Sequence, residues 1–247
     1  MSTSLRVLSY NIHKGFSFGN TRYLLDEMRH SMRLMKADLV FLQEVVGDNT
    51  RNHRSINNWE SQQFEFLADE VWPHYAYGKN AIYSHGHHGN AILSQFPFET
   101  FDNIDVSHIP TSQRGILIGK INHECFPDGI NLVCLHFGLL AFERRRQIAM
   151  LCEKIEASLP SDAPLIIAGD FNDWRSDSDI TLKALGLKEA FSQRHGHLAL
   201  TFPARFPMFA MDRIYYRNLE LVYAEVLSGH PWNELSDHCA LYAEFVI

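Results

Sequence analysis

Eight polar residues stand where short apolar runs stop, and none of them is a cysteine or a serine. Asn11 closes LRVLSYN, and Glu44 closes LVFLQE. His136 sits in LVCLHFG, while Asp170 and Asn172 follow PLIIAG. Asp212 opens DRIYY, and Asp237-His238 precede CALYAEF. Taken singly, an Asn or Asp at such a place is most often a turn former, and a His in an apolar strand is a hydrogen-bonded core residue. Glu44 resists that reading, because a carboxylate ending a mostly apolar run is costly to bury without a partner. Taken together, Asn, Asp, Glu and His suit hard-metal binding and general-base work on a phosphate.

The elements that must position these residues follow from periodicity. Runs at 5–12, 37–45, 90–96, 115–121, 130–137, 164–169, 213–217, 221–227 and 239–246 read as strands. Apolar residues at 24, 25, 28, 32 and 35 predict a helix over 21–36. Further helices are predicted over 61–72 and over 141–159, the latter stopped by Pro160. About ten strands and three or four helices in mixed order do not alternate as a barrel or a doubly wound sheet requires. Two packed sheets with helices outside fit better.

Composition sets the bounds. A chain of 247 residues that is 46% hydrophobic can bury a large core in one domain. A formal charge of -7 argues against a general nucleic-acid coat protein, though not against a locally basic cleft. The four cysteines form no metal-type cluster, and reduced thiols in a cytoplasmic protein are the expected state. No apolar run approaches the length of a membrane span, so no integral membrane segment is expected.

Eight segments, SYNI, FLQE, GNAILSQFP, RGIL, LHFG, AGDFND, MDRIYY and LSDH, occur in that order between residues 5 and 245. The series resembles the endonuclease/exonuclease/phosphatase superfamily with its DNase I-like fold, especially the small single-domain bacterial members. The resemblance implies an α+β fold: a four-layer α/β/β/α sandwich of two mixed sheets flanked by helices, with a cleft at one end. It implies one catalytic domain over 1–247 and phosphodiester hydrolysis with Mg²⁺, for which Mn²⁺ can substitute.

By the same resemblance Glu44 matches the main metal-binding carboxylate, with Asn11 beside it and Asp237 near the metal. Asp170 matches the carboxylate that takes a proton from water, and Asn172 the amide that orients it. His238 and His136 match phosphate-contacting histidines, and Asp212 the carboxylate that supports His238. Arg114 and Asn90 match substrate-binding positions. His13 stands where the abasic-site branch carries Asp, which points away from that specificity. The leading expectation is a nuclease acting on DNA or RNA. The alternative is a phosphodiesterase or phosphatase acting on a phospholipid headgroup or small phosphorylated metabolite, favoured by the acidic balance. No protein partner is inferable. The intact set of polar residues argues against a non-catalytic binding module.

Three other features carry a sharp and a plain reading. SHGHHGN (84–90) puts His85, His87 and His88 together, which raises zinc, but no cysteine or carboxylate adjoins them, so a flexible loop at the cleft rim is the plain reading. Arg144-Arg145-Arg146 either grips phosphate or is a solvated helix face. Phe202, Phe206 and Phe209 either stack on a base or acyl chain or pack beneath a Pro-rich loop. The strand-end pattern itself demands that Glu44, His136, Asp170 and His238 converge in one cleft.

Overall fold

The computed structural model describes residues 4–246. Its strands are β1 (Ser4–Asn11), β2 (Leu39–Asn49), β3 (His74–Tyr83), β4 (Gly86–Ser94), β5 (Phe98–Asp105) and β6 (Gly115–His123). They continue with β7 (Phe126–His136), β8 (Leu165–Asp170), β9 (Lys188–Glu189), β10 (Asp212–Arg217), β11 (Glu220–Leu227) and β12 (Ala240–Val246). The helices are α1 (Leu25–Leu34), α2 (Thr50–Ser55), α3 (Gln63–Ala68), α4 (Ala141–Ser158), α5 (Asp177–Ala184), α6 (Ala190–His195) and α7 (Trp232–Leu235).

The strands form two six-stranded sheets, ordered β11-β12-β1-β2-β4-β3 and β5-β6-β7-β8-β10-β9. Each contains one parallel pair at its centre, β1 with β2 and β7 with β8, flanked by antiparallel neighbours. Alternation along the central strands builds the layers. Leu5, Val7, Leu39 and Phe41 face Leu132, Cys134, Ile166, Ala168 and Ile214 across the inter-sheet core. The opposite face of the first sheet, with Leu8, Val40 and Leu42, is covered by Met28 and Met32 of α1 and Leu67 of α3. The outer face of the second, with Val133, Leu135 and Ile167, is covered by Ile148, Leu151 and Ile155 of α4 and Leu182 of α5. The architecture is the expected four-layer sandwich.

Several elements depart from the sequence expectation. The strands β3 and β5 have no apolar run, because they are edge strands whose side chains are largely in contact with water. The histidine-rich segment is not a flexible loop: Gly86–Ser94 is strand, paired on both sides. Consecutive residues on a strand point to opposite faces, so His87 and His88 diverge, and a three-histidine zinc site does not form. Arg144 is not on a solvated helix face: it is 3% exposed and lies 3.9 Å from Asp173. All four cysteines are free thiols, three of them buried.

Gly169 shows how tightly the central parallel pair is drawn. Its φ is +150°, and a Cβ there would stand 2.0 Å from the Leu135 carbonyl oxygen of the neighbouring strand. Gly169→Ala is therefore expected to destabilise the protein by about 3 kcal/mol or more, lowering Tm by roughly 6–12 °C for a chain of this size. Thermal unfolding followed by circular dichroism checks this, and an unchanged Tm would refute it.

Candidate active site

Four of the inter-sheet core columns change character at the same end of the sandwich. On β1 the inward series Leu5, Val7, Ser9 continues to Asn11, and on β7 the series Leu132, Cys134 continues to His136. On β8, Ile166 and Ala168 lead to Asp170, while on β10 Asp212 precedes Ile214 and Tyr216. Register brings them level: His136 and Asp212 both pair with Asp170, from opposite sides. The top of an otherwise apolar core is thus made of one amide, one imidazole and two carboxylates.

Glu44 arrives by a different device. Alternation from Leu42 would turn it toward the helices. Pairing instead jumps from Leu42↔Ala91 to Val45↔Gly89, and Glu44 takes a left-handed φ of +56°. Such a bulge re-aims side chains, and the Glu44 carboxylate meets the Lys14 ammonium at 2.5 Å. His13, Lys14 and Asn172 are also left-handed, so backbone strain gathers around this end.

Asp170 is the hub. Its Oδ2 accepts from Asn11 Nδ2 at 3.1 Å and lies 3.5 Å from His136 Nε2 and 3.9 Å from His238 Nε2. Its Oδ1 accepts the Asn172 N–H at 2.9 Å. The Asn172 amide donates in turn to the Phe137 carbonyl at 2.9 Å. His238 Nδ1 sits 2.7 Å from Asp212 Oδ2. Ser236 ties the segment carrying His238 to β1, its hydroxyl donating to the Asn11 carbonyl at 2.7 Å. Asp237 Oδ1 lies 3.6 Å from His13 Nδ1.

The charges sort the two histidines. Burial alone would lower His238, but Asp212 and Asp170 outweigh it and push the imidazole up to about 10. Burial pushes His136 down to about 4, only partly offset by Asp170. At neutral pH one is a cation and the other neutral. Burial raises the Asp170 carboxyl despite His238 and His136, which makes its anion a better proton acceptor. Burial would also raise Glu44, but Lys14 and His136 hold it well below the usual carboxylate range.

The sequence-derived residues fall into three groups. Asn11, His136, Asp170, Asn172, Asp212 and His238 form one connected cluster, and Glu44 and Asp237 adjoin it through Lys14 and His13. Arg114 is half-buried at the margin, its Nε donating to the Phe137 carbonyl at 3.1 Å. Asn90 is buried, and its Nδ2 donates to the carbonyls of Gly115 and Cys134, so that its amide stitches the two sheets together. Sequence reasoning missed Lys14 and Ser236, and it took His88 only as a zinc candidate, whereas burial and Lys14 push that imidazole down to about 4 beside Glu44. Only the lysine had a signal, a cation three residues after Asn11.

Two donor sets could hold an ion. Asp170, Asp212 and His238 offer atoms within 4.8 Å of one another. There, however, His238 Nδ1 is already engaged by Asp212, so we read this trio as a charge couple facing a base. The second is the set implied by the sequence resemblance, the oxygens of Glu44, Asn11 and Asp237. In this structure the Lys14 ammonium lies on Glu44, so it would have to give way to an ion bound there.

A buried carboxylate between two imidazoles, on a two-sheet sandwich, fits a family of hydrolases that act on phosphoester bonds. The chain belongs to the endonuclease/exonuclease/phosphatase family, whose profile matches residues 8–238; enzymes of that family are generally dependent on a divalent metal. It is 43% identical over 243 residues to the uncharacterized protein YbhP of Escherichia coli K12, covering 98% of this chain and 96% of that one. Its fold is similar to that of an endonuclease/exonuclease/phosphatase from Beutenbergia cavernae, with a TM-score of 0.78, 16% identity, and coverage of 99% of this chain and 72% of that one. It is similar also to D. rerio TDP2 complexed with a single-strand DNA product, with a TM-score of 0.73, 18% identity, and coverage of 98% and 99%.

The charge on His238 gives a test with a definite sign. Its folded pKa is raised from 6.5 to about 10, so the pairing stabilises the fold fully below pH 6.5 and is lost as pH rises through about 10. Asp212→Asn is expected to cost roughly 3 kcal/mol near neutral pH, the typical effect of breaking a buried ion pair, and much less above that upper limit. Denaturant unfolding of both proteins at the two pH values checks this. An equal difference at both would mean that His238 carries no charge.

Proposed function

We propose that the chain is a divalent-metal phosphodiesterase, a single catalytic domain over 1–247 using Mg²⁺, with Mn²⁺ as a possible substitute. The observation that carries the reading is Asp170: a buried carboxylate flanked by His136 and His238 and oriented by Asn11 and Asn172. In this reading Asp170 accepts a proton from water, and Asn172 fixes its orientation. His238, held as a cation by Asp212, faces the anionic transition state. Neutral His136 keeps a hydrogen-bonding nitrogen near the same carboxylate oxygen. Glu44, Asn11 and Asp237 would hold the metal. An all-oxygen set with one or two carboxylates suits Mg²⁺. Bound there, the ion would neutralise charge on the phosphate oxygens. Free thiols support a cytoplasmic setting. No described helix is long and apolar enough to cross a membrane.

Within this class a nuclease is the reading suggested by likeness to TDP2 with its DNA product. A phospholipid or small-metabolite phosphodiesterase is the alternative, and the surface around the cleft bears on the choice.

Asp170→Asn keeps the shape and removes the proton acceptor. The expected result is a fall in kcat of at least about 10²-fold on bis-p-nitrophenyl phosphate with KM little changed. An Asp whose folded pKa is raised costs stability at every pH above its unfolded value, so Tm should hold or rise. A less stable protein with full activity per folded molecule would make Asp170 only a turn residue.

Glu44→Gln should weaken Mg²⁺ binding, measured by calorimetry, and high Mg²⁺ should restore part of the lost activity. The same fractional loss at every Mg²⁺ concentration, with unaltered binding heat, would put Glu44 outside the metal's reach.

A further inference from the structure

Large apolar side chains left in water cluster beside the strand ends that carry the site. Leu139, 58% exposed, Leu140 and Phe142 follow His136 within a few residues. Trp174 follows Asp170 just as closely. Phe206, 72% exposed, Met208 and Phe209 lie in the segment that leads into Asp212. The plain expectation for the phenylalanines, packing beneath their loop, therefore fails for Phe206 and Phe209.

Contacts join the first two segments to each other and the third to the site. The Arg144 guanidinium donates to the Leu139 carbonyl at 2.6 Å and lies 5.1 Å from the centre of the Trp174 ring. Phe142 meets His108 edge-on at 5.7 Å. Phe209 pairs through its backbone with Phe202, whose ring is 4.9 Å from that of the catalytic candidate His238.

Cations predominate in these three segments. Within 138–146, 172–176 and 199–211 the acidic residues Glu143 and Asp173 are buried, while Arg145, Arg146, Arg175 and Arg205 are exposed. The exposed carboxylate of Asp177 lies beside Arg144 and Arg145 in one shallow cavity. A chain of net charge -7 thus exposes four arginines among the apolar side chains of these segments.

Several large apolar side chains exposed in segments that adjoin one site suggest an interaction surface. A single-stranded nucleic acid would use the arginines and the aromatic faces, but Leu139, Leu140 and Met208 have no π face to offer a base. Aliphatic and aromatic side chains interleaved with arginines match the lipid–water boundary, where apolar groups enter the acyl region and cations stay at anionic headgroups.

We propose that this rim seats the cleft on an anionic phospholipid surface, and that the phosphodiester presented to Asp170 belongs to a lipid headgroup. The substrate assignment rests on the phosphodiesterase reading above; the docking surface does not.

The test uses the full chain and vesicles of phosphatidylcholine with about a third phosphatidylglycerol, an anionic surface of the kind that attracts basic segments. Cosedimentation gives the partition coefficient, and hydrolysis is compared on vesicle phospholipid and on bis-p-nitrophenyl phosphate. Wild type is expected to bind these vesicles and to bind pure phosphatidylcholine weakly. R146Q/R205Q should lower partition roughly twenty-five-fold, about fivefold per arginine. L140S/F142S should lower it by about tenfold through lost apolar insertion. Both should lower the ratio of vesicle to soluble-substrate hydrolysis. The control I180S, at an exposed position on α5, should match wild type, and all variants should keep its Tm. Failure of the folded wild type to bind anionic vesicles would overturn the proposal. So would tight, salt-sensitive binding of single-stranded DNA that the arginine variants lose and the apolar variants retain. No hydrolysis of bis-p-nitrophenyl phosphate, with vesicle binding intact, would overturn the phosphodiesterase reading and with it the lipid substrate, leaving the docking surface standing.

Discussion

A carboxylate closed off from water at the top of an apolar core is the constraint around which this molecule is arranged. Asp170 could not remain there as an anion among Ile166, Ala168 and their neighbours without compensation. It is compensated by two imidazoles and two amide donors, contributed by both sheets and by the segment before β12. Each partner needs its own support, which explains Asp212 behind His238 and the Phe137 carbonyl behind Asn172. The carboxylate proposed as proton acceptor and the fold's polar capping are thus one structure.

Elsewhere the local irregularities have a common purpose. Regular β geometry supplies Asn11, His136, Asp170 and Asp212 by simple alternation. It cannot supply Glu44, whose position in β2 belongs to the wrong face. The bulge opposite Asn90 and the left-handed turn at Glu44 solve this at a local energetic cost, and the Asn90 amide, tied to Gly115 and Cys134, anchors the distorted spot.

Much of this was legible in the sequence because the same alternation that predicts strands also predicts what they deliver. Apolar columns ending in Asn11, His136 and Asp170 stand out in one dimension. The edge strands β3 and β5 were illegible because edge positions need no apolar run. Lys14 was illegible because its significance comes from proximity to Glu44, created by a turn and a bulge that periodicity does not encode. The histidine-rich segment misled for the converse reason: nearness in sequence suggested a cluster that strand geometry pulls apart. The burial of Arg144, next to two exposed arginines, depends on Asp173 from another element.

The pairing of β1 with both β2 and β12 sets the timing of assembly. During synthesis β1 precedes both partners and can pair with β2 early, but its other edge waits for β12. The contact between Ser236 and Asn11, 225 positions apart, likewise closes late. A ribosome-bound intermediate therefore carries an open hydrogen-bonding edge in the middle of its first sheet until β12 is made. Long-range closure of this kind makes folding slow, and it keeps the polar cluster around Asp170 incomplete until the segment carrying His238 is in place.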